Sequence, residues 1–180
     1  EVACGTGRVA IQLAQEGCEV TGLDLSSAIL DVARDKSARM SNMRWVQGDM
    51  RSFDLRETFG LAIIPGHSFL NILTAVDQFA CLESIRRHLV PGGLLVVHLD
   101  HPEIDWLGGL AGDPGGDFGT KGQFTHPRTG RQVRTLQAWS YEPATQTVIS
   151  HKVWEELGPD GQVIDRLDRG PVRIHVVYHF

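Results

Sequence analysis

Apolar positions recur along the chain in two rhythms, and the change from one to the other falls near Asp100. Up to that point, short apolar runs alternate with amphipathic stretches. An apolar segment ending at Cys4 turns through Gly5 and Gly7 into a helix carrying Val9, Ile11 and Leu13. Cys18 to Asp24 reads as a second strand that ends on an acid. Ser26 is placed to cap a helix running from Ser27 to about Arg39, with Ile29, Leu30, Val32 and Ala33 on its apolar side. Met43 to Gln47 is a third strand, followed by Gly48-Asp49-Met50. Leu61 to Ile64 is a fourth, short and wholly apolar as in a strand covered on both faces, and it leads into Pro65-Gly66-His67-Ser68-Phe69. A helix from about Val76 to Leu89 is stopped by Pro91-Gly92-Gly93, and Leu94 to Leu99 is the fifth strand. This alternation predicts an α/β fold: a parallel sheet, helices on both faces, right-handed crossovers.

Beyond Asp100 the rhythm shortens. Leu107 to Gly122 carries two Gly-Gly pairs and reads as a mobile loop. Three stretches then alternate with period two: Val133 to Tyr141, Thr147 to Leu157 and Val163 to Tyr178. Pro143-Ala144-Thr145 and Gly158-Pro159-Asp160-Gly161 separate them, so an antiparallel meander is predicted. The division expected is residues 1–100 as a ligand-binding core and 101–180 as a loop and meander within one structural domain. The meander is expected to act as a lid over the carboxyl edge of the parallel sheet.

Composition narrows the function. The chain has 180 residues, 42% of them hydrophobic, with a formal net charge of -5, enough for one sizeable core. The acidic balance and the lack of a Lys/Arg cluster argue against nucleic acid as the main partner. Cys4, Cys18 and Cys81 form no CxxC pair and no metal-ligand spacing; they read as reduced thiols of a cytoplasmic protein, with no metal site. No apolar run approaches membrane-spanning length and no signal peptide is visible, so no membrane partner is expected. The chain opens on Glu1 in mid-strand, which reads as trimming at both ends; a homodimer is one way to cover the sheet edges this leaves.

The chemistry is concentrated in Glu1-Val-Ala-Cys-Gly-Thr-Gly-Arg8. A strand, a Gly-x-Gly turn and a helix form the front half of a nucleotide-binding βαβ unit, in which glycine lets backbone approach a ligand and free N–H groups face the turn. Gly5-x-Gly7-x-x-Ala10 with Asp24 at the end of the next strand satisfies a relaxed dinucleotide fingerprint, so an NAD-dependent oxidoreductase is one reading. The whole phrase, however, resembles motif I of class I S-adenosylmethionine (SAM)-dependent methyltransferases, with Ala3 in place of that motif's first glycine. Pro65–Phe69 is similar to the Gly-Asn-Ser-Phe segment of small-molecule methyltransferases such as glycine N-methyltransferase, and Pro91-Gly92-Gly93 to a signature of the class. These elements occur in the class's order over residues 1 to about 100.

The resemblance implies a Rossmann-like core and SAM as cofactor. It assigns the ribose diol to Asp24, whose two carboxylate oxygens suit adjacent hydroxyls. Asp49 would accept from the adenine amino group beside apolar Leu25 and Met50, although an Asp after Gly48 also forms turns in its own right. Glu1 would engage the methionine ammonium. Ala3, Gly5, Gly7, Pro65 and Ser68 would line the methionine portion, and Arg8 would brace the turn. His67 replaces the asparagine next to the transferable methyl, which makes it the candidate catalytic residue: it could orient a nucleophile or take its proton. Asp100-His101-Pro102 is similar to that family's Asp-His-Arg, but with Pro102 in place of the carboxylate-binding Arg glycine is not the expected substrate. His67, His101, Tyr141 and Arg173 are the candidate acceptor contacts. Two readings remain beside the methyltransferase of a small molecule: the NAD-type oxidoreductase, and a SAM-binding protein without catalysis.

Overall fold

The computed structural model describes residues 1–111 and 118–176 and divides the chain into two compact units that meet between Asp100 and His101. The first is the α/β unit. Helix α1 (Ala10–Gln15) buries Ala10 and Ala14 and leads to strand β1 (Val20–Asp24). Helix α2 (Ser27–Lys36) starts at Ser26, whose hydroxyl accepts from the Ile29 N–H as a cap should. Strand β2 (Met43–Gln47) pairs with β1 in parallel, from Val20↔Met43 to Asp24↔Gln47. Strand β3 (Phe59–Ile64), helix α3 (Ala75–Arg87) and strand β4 (Leu89–Val97) follow, with β3 and β4 also parallel.

Residues 1–4 join the two strand pairs, although they form only an isolated bridge rather than a full strand. The Val2 N–H donates to Ile63 O, the Leu23 N–H to Glu1 O and the Cys4 N–H to Leu23 O, at 2.9–3.0 Å. This places the segment between β1 and β3, so the order across the unit is β2, β1, residues 1–4, β3, β4. The chain reverses its direction of travel at residues 1–4, and in open α/β sheets the crevice beyond such a point takes the ligand. The core behind it gathers Val2, Leu23, Phe53, Ile64, Ile72, Cys81 and Ile85. Burial of an aliphatic side chain of this size contributes about 1.5–3 kcal/mol.

Two expectations for this unit change. Pro91-Gly92-Gly93 does not stop the helix: α3 already ends at Arg87 with His88 as its cap, and the triplet lies inside β4 as a bulge. Pairing jumps there from Phe59↔Leu89 to Leu61↔Leu94, and Gly92 takes φ +80° to make the jump. Nor is β3 covered on both faces. Ala62, Leu95 and Val97 pack on the core, while Leu61 (49% exposed), Leu94 (64%) and Val96 (55%) leave the opposite face bare among the described residues.

In the second unit the stretch expected as a loop over Leu107 to Gly122 begins in a helix and ends in a strand. Helix α4 (Ile104–Ala111) occupies its start and strand β5 (Gly119–Thr125) its end; residues 112–117 lie outside the described residues. Strands β6 (Gln132–Glu142), β7 (Thr147–Leu157) and β8 (Val163–His175) are the expected alternating stretches, and β5 makes the meander four-stranded rather than three-stranded. Tyr178 and His179 lie outside the described residues. Leu107 packs with Val148 and Val176 against Trp139 and Tyr141, and Trp106 meets Trp139 edge-on at 5.8 Å. On the other face the Glu155 carboxylate, only 6% exposed, is held by Arg134 at 2.6 Å and Arg166 at 3.2 Å. A buried charge without partners is costly, so this cross-strand triad pins the register of β6, β7 and β8.

Candidate active site

The carboxyl ends of the parallel strands bring most of the expected residues of the first unit together. A cleft of about 240 Å3 opens beside the glycine turn, lined by Glu1, Ala3, Gly5, Arg8, Pro65 and Ser68 among others. The turn is wound left-handed in three places: Ala3 at φ +55°, Gly5 at +57° and Gly7 at +77°. Ala3 stands where the resembled motif has glycine, and its positive φ is the reason a residue without Cβ suits that place.

The two glycines serve different ends. A Cβ built on Gly5 meets no atom within 4 Å, so the space in front of it is open for a ligand. A Cβ on Gly7 lands 2.6 Å from the indole of Trp45 and 3.0 Å from Ile11, so Gly7 belongs to packing and not to close approach of a ligand. Trp45 also covers Gly22, at 2.4 Å from a Cβ built there, and its indole N–H donates to Ser37 Oγ at 2.9 Å. Arg8 lines the cleft with an exposed side chain. A brace on the turn comes from Lys36, whose ammonium reaches from α2 to Thr6 Oγ1 at 2.9 Å and Thr6 O at 3.4 Å. The local sequence near Gly5 carried no sign of it.

Asp24 sits beside the turn and spends part of its acceptor capacity on backbone: Oδ2 accepts from the Gly5 N–H at 2.8 Å and Oδ1 from the Ser26 N–H at 3.0 Å. A carboxylate has about four lone-pair sites, so each oxygen keeps one for a ligand. Leu25 follows with an exposed side chain (67%), an unusual state for leucine at the end of a parallel strand. Asp49 is committed elsewhere. Arg51 grips both of its oxygens, at 3.0 Å through Nε and 2.6 Å through Nη2, and also reaches Asp77 at 3.4 Å. Hydrogen bonds from Arg51 hold the Asp49 carboxyl below the usual carboxylate range. Asp49 also forms the turn expected after Gly48, since Oδ1 accepts from the Arg51 N–H. Met50 packs against the core rather than standing open.

Glu1 has the telling environment. One carboxylate oxygen, Oε2, is buried and has no hydrogen-bond partner. Burial raises its pKa against the opposing pull of nearby positive charge, including Arg8. Glu1 lines the cleft, and its buried Oε2 has acceptor capacity to spare. Cys4, beside it, is inert: burial and the neighbouring carboxylates push its thiol up to about 12.

Pro65–Ser68 forms the opposite lip. Gly66 and His67 are both left-handed, at φ +67° and +63°, and Ser68 Oγ donates to Pro65 O at 3.1 Å, a bond to backbone. Strain of this kind at a non-glycine residue concentrates at functional sites. His67 Nδ1 lies 3.3 Å from Asp100 Oδ1, a contact too oblique to count as a hydrogen bond, and its ring meets that of His98 at a tilt, with centroids 4.0 Å apart. Asp100 and His98 come beside His67 because the adjacent parallel strands β3 and β4 bring their carboxyl ends together.

The three remaining acceptor candidates belong to the second unit. His101 is exposed at its start. Tyr141 packs into the cluster under α4, and Arg173 is paired with Glu142 at 2.8 Å. A larger concavity of about 410 Å3 in this unit, lined by Phe124, Val133, Trp154 and Leu167 with Glu156 and Asp165, contains none of them. The smaller cleft is the one that opens where the parallel strands end. Among the described residues no cluster of metal-ligating side chains occurs, and no helix is long and apolar enough to cross a membrane.

Comparison with known proteins agrees with the geometry. Residues 1–93 match the family described as "Methyltransferase domain". The chain is 36% identical over 99 residues to a putative methyltransferase, YqeM, of Bacillus subtilis, covering 53% of this chain and 39% of that one. It is 32% identical over 99 residues to demethylmenaquinone methyltransferase of Staphylococcus aureus, covering 53% and 40%. The matched stretch is thus about two fifths of the length of these relatives. Among solved structures, the CcbJ methyltransferase of Streptomyces caelestis superposes with a TM-score of 0.76 at 28% identity, covering 98% of this chain and 65% of that one. The SAM-bound amino pentose methyltransferase CalS10 of Micromonospora echinaspora superposes with a TM-score of 0.69 at 26% identity, covering 98% and 67%. With the family model spanning more than half of its length, and the strand order and glycine turn in place, this chain belongs to the methyltransferase domain family.

Proposed function

We propose that this protein is a SAM-dependent methyltransferase acting on a small-molecule acceptor. The observation that carries the reading is the buried, unpartnered Oε2 of Glu1 in the cleft of the glycine turn, which fits the ammonium of the methionine moiety. The other residues fit the same ligand. The open space before Gly5 and the rim of Ala3, Pro65 and Ser68 take the methionine chain. The spare lone pairs of Asp24 take the ribose hydroxyls, and exposed Leu25 gives the adenine an apolar bed, with Met50 and Asp49 along the same strand ends. Bound there, SAM supplies a methyl group on a sulfonium, a good leaving group.

The chain's task is then to align an acceptor in line with that methyl, exclude water and receive a proton. His67, at the lip of the cleft, is the group for the last of these. The similarity to CalS10, an amino pentose methyltransferase, and to demethylmenaquinone methyltransferase supports an acceptor of small-molecule size. The net charge of -5 speaks against nucleic acid.

Calorimetric titration with SAM, S-adenosylhomocysteine and NAD tests the reading. Both adenosyl ligands are expected to bind and NAD is not; binding of NAD alone overturns it in favour of an oxidoreductase. The affinity for SAM also has an expected pH dependence. Burial raises the Glu1 pKa, and the ammonium needs the ionised form, so affinity falls as pH drops through a value above the ordinary one for glutamate. Glu1→Gln abolishes that slope.

A further inference from the structure

His67 carries a wider arrangement than a lone base would need. Its Nδ1 is buried, while 35% of the side chain remains exposed. The neighbour of Nδ1 is Asp100 Oδ1 at 3.3 Å. The ring face is held by His98, tilted at 51° and anchored by its backbone N–H on Ile64 O. The backbone beneath His67 is fixed in a strained left-handed turn, which limits how the imidazole can re-aim. Asp100 is 66% exposed, so its carboxylate can rotate by the small amount that would align the contact. Hydrogen bonds of this kind are often oblique before a ligand arrives.

We propose that Asp100 is a positioning residue: by accepting from Nδ1–H it fixes the neutral imidazole of His67 in one tautomer, leaving the Nε2 lone pair to receive the acceptor's proton. The inference rests on the methyl-transfer reading above for its purpose, though not for its geometry. In the step it serves, a lone pair on the acceptor nitrogen or oxygen forms the bond to the methyl carbon as the carbon–sulfur pair leaves with sulfur. The acceptor then gives up its N–H or O–H proton to Nε2, its bonding electrons staying on the heteroatom. The imidazolium so formed is stabilised by Asp100 and later passes the proton to water.

The molecule contains its own standard for the test. His88, buried and remote from the cleft, accepts the Leu55 N–H at Nε2 (2.8 Å), so its Nδ1 must carry the proton donated to Ser84 O at 2.7 Å. Long-range proton–nitrogen NMR correlation on the unliganded, 15N-labelled protein, at a pH where the imidazoles are neutral, reads the tautomer of each histidine. His67→Gln assigns the signals. In the wild type, His67 is expected to show the same Nδ1–H pattern as His88. Asp100→Ala is expected to shift His67 toward the Nε2–H form while leaving His88 unmoved, and Asp100→Asn, which keeps one acceptor oxygen, falls between. A wild-type His67 in the Nε2–H form, or a tautomer indifferent to Asp100→Ala, overturns the proposal. The wild-type spectrum decides even if a variant misfolds. Because no SAM is present, failure here and failure of the SAM titration are separate results.

Discussion

Gly7→Ala is expected to destabilise the protein by about 3 kcal/mol, and Gly5→Ala by only about 1 kcal/mol, although both glycines belong to one turn. The difference follows from what a methyl group meets. At Gly7 it lies 2.6 Å from the Trp45 ring, and the ring cannot retreat: its indole nitrogen is tied to Ser37, whose hydroxyl is itself bonded to Ala33 O at 2.8 Å. The φ of +77° adds strain of its own. At Gly5 the methyl meets only open space, so the folded state bears little beyond the left-handed backbone. Binding reverses the order of interest. The Gly5→Ala methyl fills the space assigned to the methionine chain and is expected to weaken SAM at least about tenfold, near 1.4 kcal/mol, in a protein that still folds. Thermal unfolding and calorimetry of the two variants check both halves. Equal stabilities would show that Trp45 does not constrain the turn.

Asp24→Ala is expected to weaken SAM by about 2–4 kcal/mol, roughly 30-fold to 1000-fold. Two losses add. The ribose hydroxyls lose charged acceptors, and the N–H groups of Gly5 and Ser26 lose the oxygens that fix the turn and the start of α2. Asp24→Asn separates them. Its single carbonyl oxygen can keep one backbone donor but not both, so its affinity is expected between those of the wild type and the alanine variant. The measurement is the dissociation constant for SAM, paired with a melting curve to show that each variant folds. Undiminished affinity in a folded Asp24→Ala protein removes Asp24 from the site.

What could be read from the chain was what is local or periodic. The strand, turn and helix at Glu1–Arg8, the acid closing β1, the cap at Ser26 and the alternation of β6–β8 all declare themselves within a dozen residues. What stayed hidden depends on distant partners. Trp45 sets the need for glycine at positions 7 and 22, and nothing near either glycine says so. Strand β5 has a fully exposed sequence, Gly-Thr-Lys-Gly-Gln-Phe-Thr, held by its pairing with β6 rather than by its own pattern. Helix α4 contains Gly108-Gly109, which imitates a loop. The bulge in β4 exists only relative to β3. At the site, the grip of Arg51 on Asp49 was within reach, two residues away, while the pairing of His67 with Asp100 follows only once β3 and β4 are known to be neighbours.

The position of Trp45 has an optical consequence. Its ring lies against both Gly7 and Gly22, so it touches the glycine turn and the sheet behind it at once. A ligand that displaces the glycine turn must change the packing around this indole, and with it the wavelength and yield of its emission. The protein has four tryptophans, and the other three lie in the second unit. Replacing Trp106, Trp139 and Trp154 by phenylalanine would therefore leave a native chromophore whose light reports the state of the turn.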